Sequence, residues 1–216
     1  MREPEPYKLA DRELERITKL ATKRIQKTKR KLLIADFDEV NAMQEMDVLY
    51  DALSDDSINT FRKLFKDRYT EMWTYLGKKK PDEDFLDELF DLYMMEFLSV
   101  PNPVVGYTYD TEFLRKRDKA KEAILAAPTK LQKQVQYDKN TRYLMVQISF
   151  YIDLVADEAS KLAMKRAGVL KVMWITQMDE RVCLDCDEKH GNIYPINDVP
   201  EKPHPRCRCY LRPVID

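Results

Sequence analysis

The sequence predicts a mainly α-helical fold with a small β unit at the C-terminus, and three observations lead to this expectation. Glycine is scarce, at 4 of 216 residues, whereas the helix-favouring residues Lys, Glu and Leu are abundant. Apolar residues recur at helical spacing along most of the chain. After Gly168, residues 170–176 are β-branched and aromatic, which is typical of a strand. We therefore predict an elongated helical body over residues 1–168 and a β tail over residues 169–216.

Periodicity, caps and breakers divide the body into six predicted helices. They span about 8–33, a short stretch after 36, 54–76, 82–99, 110–126, and 129 or 138 to 167. The division between the second and third helices depends on Ser54-Asp55-Asp56, a cluster typical of a helix N-cap. The aromatic stripes at 61–73 and 85–97 already have helical spacing, so they predict packing rather than ligand binding.

The composition indicates a globular chain with a heavily solvated surface, since charged residues make up 35% and hydrophobic residues 44%. The net charge of −1 favours no class of partner. The N-terminus lacks the apolar core of a signal peptide, and no apolar run is long enough for a membrane span. We therefore expect no membrane association and a cytosolic site of synthesis, where thiols stay reduced.

Cysteine and histidine are confined to one window of the tail. All 4 cysteines and both histidines lie between Cys183 and Cys209. Core packing would scatter cysteines along the chain, and disulfides need an oxidising compartment. The clustering therefore predicts a metal site, with reduced buried thiols as the alternative.

The spacing of these residues favours a tetrahedral zinc site. Two residues between Cys183 and Cys186 allow both sulfurs to face one ion, and zinc takes four such ligands. The candidate ligands are Cys183, Cys186, His204, Cys207 and Cys209. We expect Cys183, Cys186 and Cys207 to be ligands. His204 and Cys209 compete for the fourth position, and the His-x-x-Cys spacing slightly favours His204. His190 is a weaker candidate and is expected in the turn before Gly191.

A closed four-ligand zinc site is structural, because catalytic zinc keeps an open position. Zinc deaminases carry a His-x-Glu motif ahead of their paired cysteines, which is absent here. There is also no His-Glu-x-x-His motif and no Gly-rich phosphate loop. We therefore predict no catalytic residue, no enzyme activity and no small-molecule substrate. A hydrolase or deaminase with catalytic zinc is the weaker alternative.

The first predicted helix is basic over a stretch without acids from Arg16 to Ala35. Lys23, Lys27 and Arg30 are spaced to share one helix face, which could bind phosphates or an acidic protein. The alternative is an ordinary solvated helix surface. A second basic run over residues 115–121 has acids among its basic residues and predicts a solvated surface.

The tail resembles the phage head morphogenesis family, also called the phage Mu F-like minor head proteins. The matching residues are Trp174, Thr176, Asp179, Arg181, Val182, Cys183, Cys186, Gly191 and the string His204-Pro205-x-Cys207-Arg208-Cys209. The resemblance covers about 40 C-terminal residues. The helical body is similar to the usual N-terminal region of the family in general type only.

The resemblance implies a minor capsid protein of a tailed bacteriophage that acts in head morphogenesis. It would be made in the host cytoplasm and packaged inside the virion head. Its expected partners are the portal protein, other capsid or scaffold proteins and packaged DNA, with a role in DNA packaging or ejection. The alternative function is a zinc-containing nucleic-acid-binding protein that acts independently of capsids.

Overall fold

The computed structural model describes residues 4–102, 106–177, 183–203 and 207–215. It confirms a mainly α-helical chain with a small sheet near the C-terminus. The helices are α1 (Lys8–Ile34), α2 (Glu39–Tyr75), α3 (Glu83–Leu89), α4 (Met95–Ser99), α5 (Tyr109–Ala126), α6 (Lys130–Ala167) and α7 (Leu184–Asp187). A π-helical turn spans Phe90–Met94, and the strands are β1 (Lys171–Ile175), β2 (Ile193–Pro195) and β3 (Tyr210–Pro213).

Several predicted boundaries are confirmed by their caps. Asp82 caps α3 by accepting a hydrogen bond from the Phe85 backbone N–H at 2.8 Å. Thr108 caps α5 in the same way. Gly168 ends α6 with a φ of 91°, a left-handed conformation that glycine adopts without steric cost.

The predicted helix start at Ser54-Asp55-Asp56 is wrong, because α2 continues through it without a break. The Ser57 hydroxyl donates to the Leu53 carbonyl within the helix. The Asp56 carboxylate accepts from the Arg24 guanidinium at 2.5 Å instead of capping a helix. The side chains of Ser57 and Asp56 therefore form hydrogen bonds that do not interrupt the helical backbone.

The π-helical turn at Phe90–Met94 was not predicted. It follows α3 directly, and the buried Phe90 ring packs edge-on against Phe65 with centroids 5.6 Å apart. A π turn adds one residue to a helical turn, so it shifts the phase of an apolar stripe without removing it. The sequence pattern therefore looks like that of an ordinary helix.

The chain forms two compact units. The first comprises Met1–Arg12, Phe61–Met94 and Phe150–Asp216, and the second comprises Glu13–Thr60 and Met95–Ser149. The predicted domain boundary at Gly168 stays a prediction. Among the described residues, no helix is both long enough and apolar enough to cross a membrane.

The sheet, which lies in the first unit, is antiparallel with β1 in the centre and the strand order β2-β1-β3. In the register, Val172 pairs with Tyr194, and Trp174 pairs with Leu211. Side chains alternate between the faces of a strand, so the buried Val172 and Trp174 share one face. Trp174 packs there against the cysteines of the tail.

Candidate metal centre

Three of the predicted ligands converge in the tail. The sulfurs of Cys186, Cys207 and Cys209 all lie within 4.8 Å of one another, and each residue is only 2–3% exposed. No disulfide links them. Sulfurs bound to one tetrahedral ion at about 2.3 Å would lie roughly 3.8 Å apart, so this cluster could hold a metal ion with little rearrangement.

The fold brings the cysteines together from two segments of the tail. Cys186 lies on the single turn of α7, and Cys207 and Cys209 lie just before β3. Thr176, directly after β1, joins the segments, because its hydroxyl donates to the Cys186 carbonyl at 2.8 Å. The Cys209 thiol donates in turn to the Thr176 hydroxyl at 3.6 Å.

The remaining candidate ligands are placed differently. Cys183 occupies the N-cap position of α7 and packs against the cluster, but it does not belong to the set within 4.8 Å. His204 lies outside the described residues, so its competition with Cys209 stays open. His190 lies in the turn before Gly191, as predicted, and its Nδ1 accepts a hydrogen bond from the Thr176 backbone N–H.

Burial and mutual hydrogen bonds shift the pKa values of the clustered thiols. Burial raises the pKa of Cys186. The hydrogen bond that Cys207 donates to Cys209 raises the pKa of Cys207 and lowers the pKa of Cys209. A metal ion must displace the protons of its thiol ligands, so its affinity is expected to rise with pH.

A hydrogen-bond network that the sequence did not predict holds the segment that carries Cys207 and Cys209. The Lys202 ammonium forms an ion pair with Asp157 on α6 and donates to the Cys207 carbonyl at 2.9 Å and to the Tyr7 hydroxyl at 2.7 Å. The Tyr7 hydroxyl lies 2.7 Å from the Cys209 carbonyl, to which it donates. Burial raises the pKa of both Tyr7 and Asp157. We call Tyr7, Asp157 and Lys202 the lysine network.

The predicted basic face on α1 is present and its three named residues are exposed. Five other cations of the acid-free stretch from Arg16 to Ala35 form ion pairs: Arg16 with Glu13, Lys19 with Glu15, Arg24 with Asp56, Lys29 with Asp138 and Lys31 with Glu45. Within the described residues, Lys23, Lys27 and Arg30 form no ion pair. Their charges are therefore available to a partner.

Comparison with known proteins gives no match to a protein-family model, a curated protein or a solved structure. The resemblance to the phage head morphogenesis family therefore depends on the motif residues of the tail. Of these, Asp179, Arg181, Val182, His204 and Pro205 lie outside the described residues.

Proposed function

We propose that this protein is a portal-associated minor head protein of a tailed bacteriophage, with a zinc-stapled tail. The observation that carries the proposal is that motif residues dispersed along the tail converge on one small structure. Trp174 and three cysteines form a single buried cluster. Thr176 bonds within this cluster, and the Gly191 backbone N–H donates to the Trp174 carbonyl at 2.8 Å.

This convergence explains why the motif residues occur together: each has a structural role in the same small unit. The Gly191 turn has a φ of 78°, which favours glycine, and it returns the chain from α7 to β2 beside Trp174. Trp174 then packs in one buried cluster with three of the cysteines. A string of residues with separate structural roles in one unit is a more specific resemblance than a chance match of cysteine spacing.

Zinc is the metal that best suits the donors. Thiolates favour soft or borderline ions, and tetrahedral sites made of cysteine alone or of cysteine and histidine are characteristic of structural zinc. Cys183 or His204 would complete the four ligands. Because the three sulfurs of the cluster are buried, the ion would serve to hold the tail together rather than to activate a substrate.

The expected partners are the portal protein and other capsid or scaffold proteins. Exposed apolar side chains on α6 support a role in protein contacts, since Leu131 is 69%, Val135 54% and Val146 45% exposed. The protein would act in head assembly and in DNA packaging or ejection, inside the virion.

The function is tested by deleting the gene from the phage that encodes it and by co-expressing the protein with the portal protein. We expect shells to form normally, infectivity to fall, and the portal protein to copurify with this chain. Complementation with the wild-type gene should restore infectivity, whereas Cys186→Ser/Cys207→Ser should not. Normal infectious particles from the deletion phage would refute the proposal.

A zinc-containing nucleic-acid-binding protein is the second candidate, favoured by the exposed charges of Lys23, Lys27 and Arg30 on α1, which form no ion pair with any residue that the structure describes. It predicts DNA affinity that falls steeply with salt and is weakened by Lys23→Glu/Lys27→Glu/Arg30→Glu. Reversing the same number of exposed cations outside α1, at Lys78, Lys79 and Lys80, is the matched control. Salt-insensitive binding would count against this candidate.

A further inference from the structure

A groove of about 680 Å³ lies between α5 and α6 in the second compact unit. Its lining contains four cations and a single acid, Glu122. The cations are Arg115, Lys116 and Lys119 from α5 and Lys139 from α6. The volume falls within the range of roughly 300–1,000 Å³ typical of ligand sites.

The basic run at 115–121, for which the sequence predicted only a solvated surface, divides between two helix faces. Arg117 and Lys121 pair with Asp47. Residues 115, 116 and 119 instead line the groove. The helical fold thus separates the cations that pair with Asp47 from those that line the groove.

Inside the groove, two cations carry the available charge. Arg115 and Lys116 both pair with the Glu112 carboxylate, at 2.9 and 3.1 Å. Lys119 and Lys139 are exposed and, in the part of the chain that the structure describes, form no ion pair. A ligand with negative charges along its length would therefore meet one ammonium on each wall.

An aromatic ring distinguishes between classes of anion. Tyr143 lines the same groove and is 51% exposed, which is unusual for a large aromatic side chain. An acidic peptide would satisfy the lysines but would leave this ring without a matching partner. A nucleotide offers both a phosphate and a planar base, and bases stack on exposed aromatic rings in sites for single strands.

We propose that this groove binds single-stranded nucleic acid, with phosphates on Lys119 and Lys139 and a base stacked on Tyr143. The site is separate from the Lys23, Lys27 and Arg30 face of α1. It does not depend on the proposed role in the phage head, because binding is measured on the purified protein.

The test measures the association constant K of the full-length chain for a labelled 20-nucleotide oligothymidylate by fluorescence anisotropy, across a series of salt concentrations. A plot of log K against the logarithm of the salt concentration has a negative slope. Removing one lysine that binds a phosphate of the single strand should reduce the magnitude of this slope by about 0.7. Lys119→Gln/Lys139→Gln should therefore reduce the slope by about 1.4. Tyr143→Ala should weaken binding about tenfold at constant salt with little change in slope.

The matched control is Lys78→Gln/Lys79→Gln, which makes the same change of charge at exposed positions between α2 and α3. This variant should retain the wild-type slope. Circular dichroism melting curves should be alike for the wild type and the two lysine variants, because every substituted lysine is exposed.

Four results would overturn the proposal. They are an absence of salt-dependent binding, an unchanged slope in the groove variant, an equal loss in the control variant, and tighter binding of duplex DNA or poly-glutamate than of the single strand. Loss of infectivity in a gene deletion would have no bearing on this test. The proposal that the groove binds nucleic acid and the proposed function in the phage head can therefore be refuted independently.

Discussion

Replacing Lys202 with methionine tests whether the lysine network holds the cysteine-bearing tail. Lys202→Met keeps much of the aliphatic stem but removes the ammonium that pairs with Asp157 and donates to Tyr7 and to the Cys207 carbonyl. Breaking a buried ion pair by removing one partner costs about 3–5 kcal/mol, because the other charge stays buried. The two side chains retain 20% and 22% exposure, so we expect the lower end, about 3 kcal/mol.

The assay is urea unfolding of the metal-loaded protein, followed by the emission of Trp174. The chain has 2 tryptophans, and a Trp73→Phe background leaves Trp174 as the single probe beside the cluster. The matched control is Lys189→Met, which removes a half-buried lysine of the tail. Within the described residues its ammonium donates one solvent-exposed hydrogen bond, to the Asp185 carbonyl, so its loss should cost under about 0.5 kcal/mol.

A double-mutant cycle separates the ion pair from the loss of packing. Asp157→Asn removes the buried charge, so Asp157→Asn/Lys202→Met should be more stable than Lys202→Met alone. The cost of Lys202→Met should also decrease as the pH is lowered, because burial raises the pKa of Asp157 and a protonated carboxyl needs no ammonium. A Lys202→Met protein within about 0.5 kcal/mol of wild type, or strictly additive single costs, would refute the reasoning.

Three further predictions concern pH, a second buried cation and the metal. Burial raises the pKa of Asp153 to about 6, above about 3.9 in an unfolded chain. The unfolded state therefore binds fewer protons between pH 4 and pH 6, and stability should fall as the pH rises through that window. Asp153→Asn should reduce this fall in urea titrations. A pH slope equal to that of wild type would contradict it. Arg68 is 3% exposed and donates hydrogen bonds to Ser160 and Glu71, so Arg68→Met should lower the free energy of unfolding by about 2–4 kcal/mol. The control, Arg12→Met at an exposed position, should lower it by less than about 1 kcal/mol. Equal losses of stability in the two variants would contradict the role of burial. Chelation should remove hydrogen-exchange protection from the sheet but not from α2; unchanged protection in β1 would contradict a structural metal.

The helices that periodicity predicted well are those whose ends carry local signals. Asp82, Thr108 and Gly168 act within their own turns, so the sequence around them is sufficient. The Ser54-Asp55-Asp56 cluster gave a wrong prediction of a helix start, because the Asp56 carboxylate accepts a hydrogen bond from Arg24 instead of from a backbone N–H. A contact between residues distant in sequence leaves no trace in local spacing.

The same distinction applies to the metal centre. The cysteines were predictable because a metal site concentrates rare residue types in a short window. The spacing did not predict that Cys209 would join Cys186 and Cys207 while Cys183 packs against them. Lys202, Tyr7 and Asp157 could not be predicted, because each is an ordinary residue until the fold brings them together.

The direct test of the central claim is the metal content of the purified protein. We expect one zinc ion per chain by elemental analysis, and cobalt substitution should give the intense thiolate absorption of a tetrahedral site. Cys207→Ser should lose the ion, and Cys183→Ser and His204→Ala should identify the fourth ligand. Protein that carries no metal, accepts no cobalt, and keeps the same tail stability when Cys207 is replaced would contradict the account.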